Sequence, residues 1–252
     1  MQILVINPNT TASMTATIDV AARAAASPGT DIVAVNPADG PVSIEGYVDE
    51  VYCIPGLLGE IRRAQSTAGQ GQAVPDAVVI ACFDDTGLDA ARCVAKGPVI
   101  GIGEAAFHMA SLIAGRFGVV TTLARSVPAI EHNLHRYGLA ARCSGVRSSD
   151  VAVLELEQPG SGARERISRE IDRAIQDDGA EAIVLGCAGM ADLARSLSEH
   201  HGLPVLDGVA CAVRLAEALV GLGLHTSRRG AYAPPLVKPY RGIFSGASPV
   251  DD

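Results

Sequence analysis

Short runs of consecutive apolar residues recur along the chain, separated by longer stretches with an apolar residue at every third or fourth position. Runs that are apolar at every position, rather than at every second one, are typical of strands covered by helices on both faces. Their alternation with helical patterns predicts βαβ units and parallel sheet. The predicted strands are Ile3–Ile6, Ile32–Val35, Ala77–Ala81, Val99–Ile102, Phe117–Thr121, Val151–Leu154, Ala182–Leu185 and Pro204–Leu206.

Three of the intervening stretches carry a clear amphipathic pattern. We predict covering helices over residues 10–26, 164–176 and 210–222, each with one apolar stripe. Gly179 and Gly223 follow the last two stretches, at positions where glycine often closes a helix. The strands and helices together predict an α/β protein.

One part of the pattern occurs twice. The run from Asp76 to Cys82 is echoed by the run from Glu181 to Cys187, and each is followed by a strand that begins with proline, at Pro98 and at Pro204. A repeated unit of this size indicates two related lobes. We therefore predict two pseudo-symmetric, doubly wound lobes with parallel sheets and an active site in the cleft between them.

The repeat also suggests where the lobes begin and end. Residues 1–103 together with 207–225 are predicted to form the first α/β lobe, and residues 104–206 the second. Residues 226–252 have no periodicity and contain several prolines, so we predict a C-terminal tail that wraps the surface, is mobile or reaches a neighbouring subunit.

The two repeated cysteines are the main candidates for chemistry. Ligands of open parallel sheets bind beyond the carboxyl ends of the strands, where Cys82 and Cys187 both fall. Each is followed by a turn that opens a predicted helix, so a lowered thiol pKa is expected at both positions. Across a cleft, two sulfurs would face opposite sides of a bound molecule. One can then remove a proton while the other delivers one, which is what stereoinversion needs.

A single cysteine at the end of a buried strand is more often a small apolar residue than a catalytic one. Repetition of the whole unit favours function for this pair. The other four cysteines are interpreted as structural: Cys93 within a helix, Cys143 in a possible strand, Cys53 in an irregular segment and Cys211 at a helix start.

The composition limits the classes of partner that the chain is expected to bind. The chain has 252 residues, 48% hydrophobic and 19% charged, with a net charge of −8 and no basic cluster, so nucleic acid is not expected as a partner. No basic leader precedes the first apolar run, and no apolar run approaches the ~20 residues of a membrane span. We expect a cytoplasmic protein. Cysteines without CxxC spacing, and His132 and His135 without a partner, predict no metal site.

The chain resembles the aspartate/glutamate racemase superfamily and, within it, the hydantoin racemase branch that includes allantoin racemases. The resemblance runs from residue 3 to about residue 227. It is carried by five motifs: Val5–Thr11, Gly40–Gly46, Ala81–Leu88, Gly101–Ala106 and Val184–Met190.

This resemblance implies a two-lobed fold and racemisation at C5 of a hydantoin ring without a cofactor, with Cys82 and Cys187 as the two family cysteines. It implies a small-molecule substrate, and symmetric homo-oligomers are the common case for soluble enzymes of this size. The loop from Phe83 to Thr86 reads Phe-Asp-Asp-Thr where the branch pattern is Phe-Gly-Asp-Pro. The pocket edge near Asp84 and Thr86 is therefore undefined by the resemblance.

Removal of the C5 proton from a hydantoin gives a delocalised enolate, whose charge needs hydrogen-bond donors. Small polar residues at strand ends, Asn9, Thr121 and Thr122, and the backbone N–H groups after the cysteines are expected to supply them. The remaining candidate binding residues adjoin the cysteines in sequence: Phe83, Asp84, Gly186, Ala188 and Gly189.

Three other features have more ordinary interpretations. Gly101 and Gly103 form a Gly-x-Gly after a strand, but the third glycine and the downstream acid of a nucleotide site are missing. Asp84 and Asp85 stand before a predicted helix, where capping of backbone N–H groups is favoured over paired-carboxylate chemistry. Glu45 either touches the substrate or closes a loop.

Other functions remain open from sequence alone. A maleate-type cis–trans isomerase could use two cysteines on the same scaffold, and a non-catalytic small-molecule binding protein could hold both as structural residues. The presence of both cysteines disfavours a malonate decarboxylase, which needs one proton donor. Allantoin and 5-alkyl or 5-aryl hydantoins are not distinguished, although Val119–Leu123 is similar to allantoin racemases.

Overall fold

The computed structural model describes residues 1–66, 73–158 and 160–249. The strands in this part of the chain are β1 (Gln2–Ile6), β2 (Asp31–Val35), β3 (Ala77–Ile80), β4 (Val99–Gly101), β5 (Phe117–Thr121), β6 (Cys143–Ser148), β7 (Ala182–Gly186) and β8 (Val205–Leu206). The α-helices are α1 (Ala12–Ala25), α2 (Tyr47–Ser66), α3 (Leu88–Val94), α4 (Ile102–Ile113), α5 (Val127–Arg136), α6 (Ala163–Gln176), α7 (Ala194–His201) and α8 (Gly208–Gly221).

The strands form two four-stranded parallel sheets. Their orders are β2-β1-β3-β4 and β6-β5-β7-β8, so each strand of the first sheet has an equivalent four strands later in the second. The repeated cysteines follow the equivalent strands β3 and β7. The two-lobed parallel α/β architecture predicted from the sequence is thus confirmed.

Helices cover both faces of each sheet, which explains the uninterrupted apolar runs. Strands β3, β5 and β7 are buried at every position. The largest apolar cluster includes residues of both sheets, and Phe107 of α4 stacks on Phe117 of β5 with ring centroids 6.0 Å apart. Burial of such rings stabilises the apolar core that the two sheets share.

Two predictions of secondary structure were wrong. Val151–Leu154 is not a strand: a 3-10 helix occupies Val153–Glu157, and the sheet edge is formed by β6, whose alternating polar residues hid it. Cys53 does not lie in an irregular segment but inside α2, which sequence reasoning missed because Pro55 interrupts it. The absence of a side chain at Gly56 permits α2 to pack closely, since a Cβ there would lie 2.7 Å from Pro37 Cβ.

The described part of the tail lies on the first lobe. Arg228 donates to the Ala95 carbonyl at 3.1 Å, and Arg62 of α2 donates to the Ala247 carbonyl at 2.9 Å. In these contacts the described part of the tail wraps the surface of its own chain. Within the described ranges, no helix combines the length and the apolar character needed to cross a bilayer.

Candidate active site

A cavity opens where the carboxyl ends of the two sheets face each other. It encloses about 420 Å³ of empty space including its mouth. Both repeated cysteines contribute to its wall, because β3 and β7, one from each sheet, both end at it. The lining residues are Asn7, Pro8, Asn9, Met14, Ile44, Ala81, Cys82, Phe83, Asp84, Thr122, Ser126, Val153, Gly186, Cys187 and Ala188.

The two sulfurs have matching backbone contacts. The Asp84 N–H donates to Cys82 Sγ, and the Gly189 N–H donates to Cys187 Sγ, in each case from the residue two positions further on. Cys82 Sγ also lies 3.5 Å from the Thr86 hydroxyl. These contacts hold each sulfur at the end of its strand, with two stabilising donors for a Cys82 thiolate and one for a Cys187 thiolate.

The expected lowering of both thiol pKa values was wrong. Burial raises the pKa of Cys82 well above its ordinary value and that of Cys187 to about 12, and the Asp84 charge adds to both shifts. Helix starts do not compensate, because α3 begins only at Leu88 and Cys187 precedes a 3-10 helix, Ala188–Leu193. Both groups are therefore thiols at neutral pH.

Amide and hydroxyl groups line another part of the cavity wall. The Asn9 carboxamide oxygen accepts from Asn7 Nδ2 and from the Thr11 N–H, both at 2.9 Å, which fixes its orientation. Among the described residues, its Nδ2 donates only to the Met14 sulfur, a weak acceptor, at 3.3 Å. Asn9 therefore presents a donor that a stronger acceptor in the cleft can take over.

Thr122 and Thr121 play different parts. Thr122 lines the cavity, whereas Thr121 is fully buried and donates its hydroxyl to the Gly186 carbonyl at 2.9 Å. The structure therefore does not bring Thr121 to the cleft. Gly186 permits this pairing because a Cβ there would lie 2.7 Å from Thr121 Cβ. Gly189 is also outside the lining and contributes its N–H to Cys187 instead.

Asp84 lies in the same cavity wall as both sulfurs. It is partly buried, and burial together with the charges of Glu50 and Asp85 raises its pKa to about 7. No residue in the described ranges donates a hydrogen bond to this carboxyl; only the Asp84 backbone carbonyl is engaged, by Asn133 Nδ2 at 2.8 Å. The side chain is thus an ionisable group without a partner.

Asp85 has the opposite environment. It is buried in a left-handed conformation and accepts hydrogen bonds from the Gly103 N–H at 3.0 Å, the Glu104 N–H at 2.7 Å and the Tyr137 hydroxyl at 2.7 Å. The predicted capping of backbone N–H groups is confirmed for Asp85, but the capped helix is α4 rather than the following one; α3 begins at Leu88, and Gly87 before it provides no side-chain cap.

The two glycines of the Gly-x-Gly sequence allow the contact between the loop that holds Asp85 and the start of α4. A Cβ at Gly101 would lie 2.0 Å from Asp85 Oδ1, and one at Gly103 would lie 2.4 Å from the Phe83 carbonyl. The two glycines therefore let the loop after Cys82 pack directly on the start of α4. This is a structural role, consistent with rejection of a nucleotide site.

Glu45 closes a loop across the cleft mouth. Its Oε1 accepts from the Val153 N–H at 3.0 Å, which joins the segment before α2 to the second lobe. Ser13 of α1 adds a second crossing contact by donating to Glu157 at 2.8 Å. Ile44 and Val153, on either side of the Glu45 bond, both line the cavity.

Sequence reasoning missed seven lining residues. Asn7, Pro8, Ala81 and Ile44 lie within the quoted motifs, so their neighbourhood was a usable signal. Met14, Ser126 and Val153 had none, because each reaches the cleft from a segment whose pattern indicates only a helix or a strand.

Among the described lining residues there is no lysine, arginine or histidine. The described ranges hold no group of three or more His, Cys, Asp or Glu residues suited to a metal ion.

Two parallel lobes, a cavity between their strand ends and one half-buried cysteine from each lobe define a two-lobed α/β enzyme that acts on a small molecule. The model of the Asp/Glu/hydantoin racemase family matches residues 3–216. The chain belongs to this family and is an isomerase.

Individual relatives agree with this assignment. A hydantoin racemase of Rhizobium meliloti is 51% identical over 242 residues, which cover 96% of this chain and 98% of the relative. The allantoin racemase from Klebsiella pneumoniae is 47% identical with a TM-score of 0.93, covering 99% of this chain and all of the other. The allantoin racemase from Pseudomonas fluorescens is 42% identical with a TM-score of 0.88, covering 96% and 100%.

Proposed function

We propose that the protein racemises C5 of a hydantoin ring without a cofactor, with Cys82 and Cys187 as its acid/base pair. The observation that carries this proposal is the presence of both sulfurs in the wall of one cavity, at the ends of equivalent strands. The names of the relatives, hydantoin racemase and allantoin racemase, support the substrate class.

In the proposed reaction, one cysteine first releases its thiol proton to solvent, and the resulting thiolate removes the C5 proton and becomes a thiol again. The electron pair of the C–H bond spreads onto the adjacent ring carbonyl as an enolate. The thiol of the other cysteine then delivers its proton to the opposite face of C5. The roles exchange for the other enantiomer, so the enzyme ends each turnover with one thiolate and one thiol.

The raised thiol pKa values suit this chemistry. A thiolate of raised pKa is rare in the resting cleft but is a stronger base once formed, and a weakly acidic C–H needs a strong base. The Asn9 Nδ2 group and the Thr122 hydroxyl are the proposed donors to the ring carbonyls and the enolate, aided by backbone N–H groups next to the cysteines. Ser126, a further hydroxyl in the lining, joins this set.

The charge of the cleft argues against maleate as the substrate. A dianion needs cationic partners, whereas the described lining has no cationic side chain and includes the Asp84 carboxyl. A neutral hydantoin ring has donors and acceptors but no charge to neutralise. The same reasoning disfavours a malonate.

Circular dichroism tests the proposal directly. Single enantiomers of allantoin and of 5-benzylhydantoin are incubated without added cofactor, and the signal decay above the spontaneous rate is followed. We expect decay with the native protein, at least about a 100-fold loss in Cys82→Ser and in Cys187→Ser, and native rates in the control Cys93→Ser. A flat trace for every hydantoin with folded native protein would refute the proposal.

A further inference from the structure

Building on this proposed function, we propose that Asp84 is a specificity-determining residue that binds the C5 substituent of the substrate and selects substituents carrying N–H donors, such as ureido. The chain would then favour a 5-ureidohydantoin over 5-alkyl and 5-aryl hydantoins. The inference rests on the position of the Asp84 carboxyl in the cleft, on its lack of a partner and on the distribution of donors around it.

The first step is the location of the carboxyl. Asp84 lines the same cavity as both cysteines, and its charge acts on Cys82 and on Cys187. C5 of a racemised ring must lie between the two sulfurs. A carboxyl in the wall of the same cavity is therefore within reach of what C5 carries.

The second step concerns orientation. Ring carbonyls are acceptors, and a carboxylate beside them would repel them, whereas Asn9 and Thr122 offer donors from the ends of β1 and β5. Asp84 comes from the end of β3, on the side that faces Glu50 of α2. A ring that directs its carbonyls to the donors leaves its C5 substituent beside Asp84.

The third step is chemical complementarity. The Asp84 carboxyl accepts no hydrogen bond from any described residue, so its two oxygens are available to a ligand. Nearby, Glu50 Oε1 is also buried without a hydrogen-bond partner among the described residues. An apolar substituent would leave these acceptors desolvated and unpaired, which is costly. The parallel N–H groups of a ureido substituent would satisfy a carboxylate.

The ionisation of Asp84 provides a signature that a purely structural residue would not give. Its pKa is raised to about 7, and the titratable groups facing it are Glu50 from α2, Asp85 from its own loop and the thiols of Cys82 and Cys187. The accepting carboxylate becomes more populated as pH rises through 7. Preference for a ureido substituent should rise over the same interval.

The experiment compares two substrates of matched shape. Allantoin and 5-isobutylhydantoin carry branched C5 substituents with four heavy atoms each, one with N–H donors and one without. The ratio of their kcat/KM values is measured from pH 6 to pH 8 for native protein, Asp84→Asn and Asp84→Ala. Because both substrates use the same thiols, the ratio cancels the pH dependence of the cysteines.

We expect the native ratio to favour allantoin and to increase between pH 6 and pH 8. In Asp84→Ala the ratio should fall about 10- to 100-fold, the range for loss of hydrogen bonds to a charged group, and in both variants it should be independent of pH. Far-ultraviolet circular dichroism establishes that the variants are folded, and Asp84→Gly replaces either variant that is not.

The outcomes separate this inference from the proposed function. If native protein racemises both substrates with a ratio that Asp84→Asn and Asp84→Ala leave unchanged, the role of Asp84 is refuted and hydantoin racemisation stands. If native protein racemises neither substrate, the proposed function fails and the inference fails with it.

Discussion

The loops after Cys82 and after Cys187 occupy equivalent places in the two lobes, yet beyond the sulfur and its nearest backbone N–H their sequences and contacts differ. Each begins at the end of a buried strand, and in each the N–H two residues on donates to Sγ. Beyond that contact, the first loop is polar and braced by the second lobe, whereas the second loop is a largely apolar 3-10 helix.

The bracing of the first loop comes from one buried carboxylate. Asp85 accepts from two N–H groups of α4 and from Tyr137, and Asn133 holds the Asp84 carbonyl. The second loop is positioned by packing instead: Met190 is fully buried. The two loops thus share the sulfur and the backbone N–H beside it, whereas charge and polar contacts are concentrated in the first loop. The proposed two-base chemistry requires symmetry only at the reacting atoms.

The largest expected effect comes from removing the Asp85 carboxylate, which anchors the first loop to α4 and Tyr137. Asp85→Ala would leave two N–H groups and the Tyr137 hydroxyl buried without an acceptor, so we expect the free energy of unfolding to fall by about 4 kcal/mol. Urea unfolding followed by circular dichroism measures this. In the matched Asp192→Ala, at an exposed position of the second loop, the change should be within about 0.5 kcal/mol. Equal losses in the two variants would contradict the comparison.

The next effect concerns the charge of the first loop. The folded-state pKa of Asp84 is raised from 3.8 to about 7, so the native state holds a proton that the unfolded chain releases within this interval. This contribution to stability is fully present below pH 3.8 and is lost as pH rises to about 7. We expect it to be about 2 kcal/mol, since the carboxyl is only partly buried.

The variant Asp84→Asn isolates that contribution. Urea unfolding at pH 5 and at pH 8 should give a decrease in unfolding free energy about 1 kcal/mol larger for native protein than for the variant, since this interval covers only part of the titration. Asp85 and Glu50 are present in both proteins, so the difference reports the titration of Asp84 together with its coupling to them. Identical pH dependence in the two proteins would mean that Asp84 titrates normally and that the first loop is not electrostatically distinct.

The smallest expected effect is at the cleft mouth. Glu45→Ala removes the bond to the Val153 N–H, a partly buried contact that contributes about 1 kcal/mol or less. Because Val153 lines the cavity, we expect a few-fold rise in KM for allantoin with little change in kcat. Steady-state kinetics beside the control Glu131→Ala, at an exposed site on α5, measures this. A loss confined to kcat would place Glu45 in the chemistry instead.

Sequence patterns were sufficient for most of the fold because the central strands are buried on both faces. Seven of the eight strands follow from apolar runs, and the repeat that ends in Cys82 and Cys187 gives the lobed arrangement. The edge strand β6 escaped because an edge needs no continuous apolar run. Helix α2 escaped because Pro55 and the glycines around it signal irregular structure, whereas tertiary packing overrides that signal.

The candidate site was less predictable. Sequence proximity to the cysteines correctly brought Phe83, Asp84, Gly186 and Ala188 to the cavity, but adjacency does not reveal direction, so Thr121 points into the sheet while Thr122 reaches the cleft. The thiol pKa values were misjudged because helix starts are visible in a sequence whereas desolvation is a property of the assembled cleft.

Deuterium exchange tests the central claim, that the two sulfurs act on opposite faces of C5. In D2O, each enantiomer of allantoin is incubated with Cys82→Ser or Cys187→Ser, and C5 deuteration and optical activity are followed together by NMR and circular dichroism. We expect each variant to exchange the C5 proton of one enantiomer without racemising it, and we expect the two variants to act on opposite enantiomers. Exchange of the same enantiomer by both variants, or undiminished racemisation by either, would contradict it.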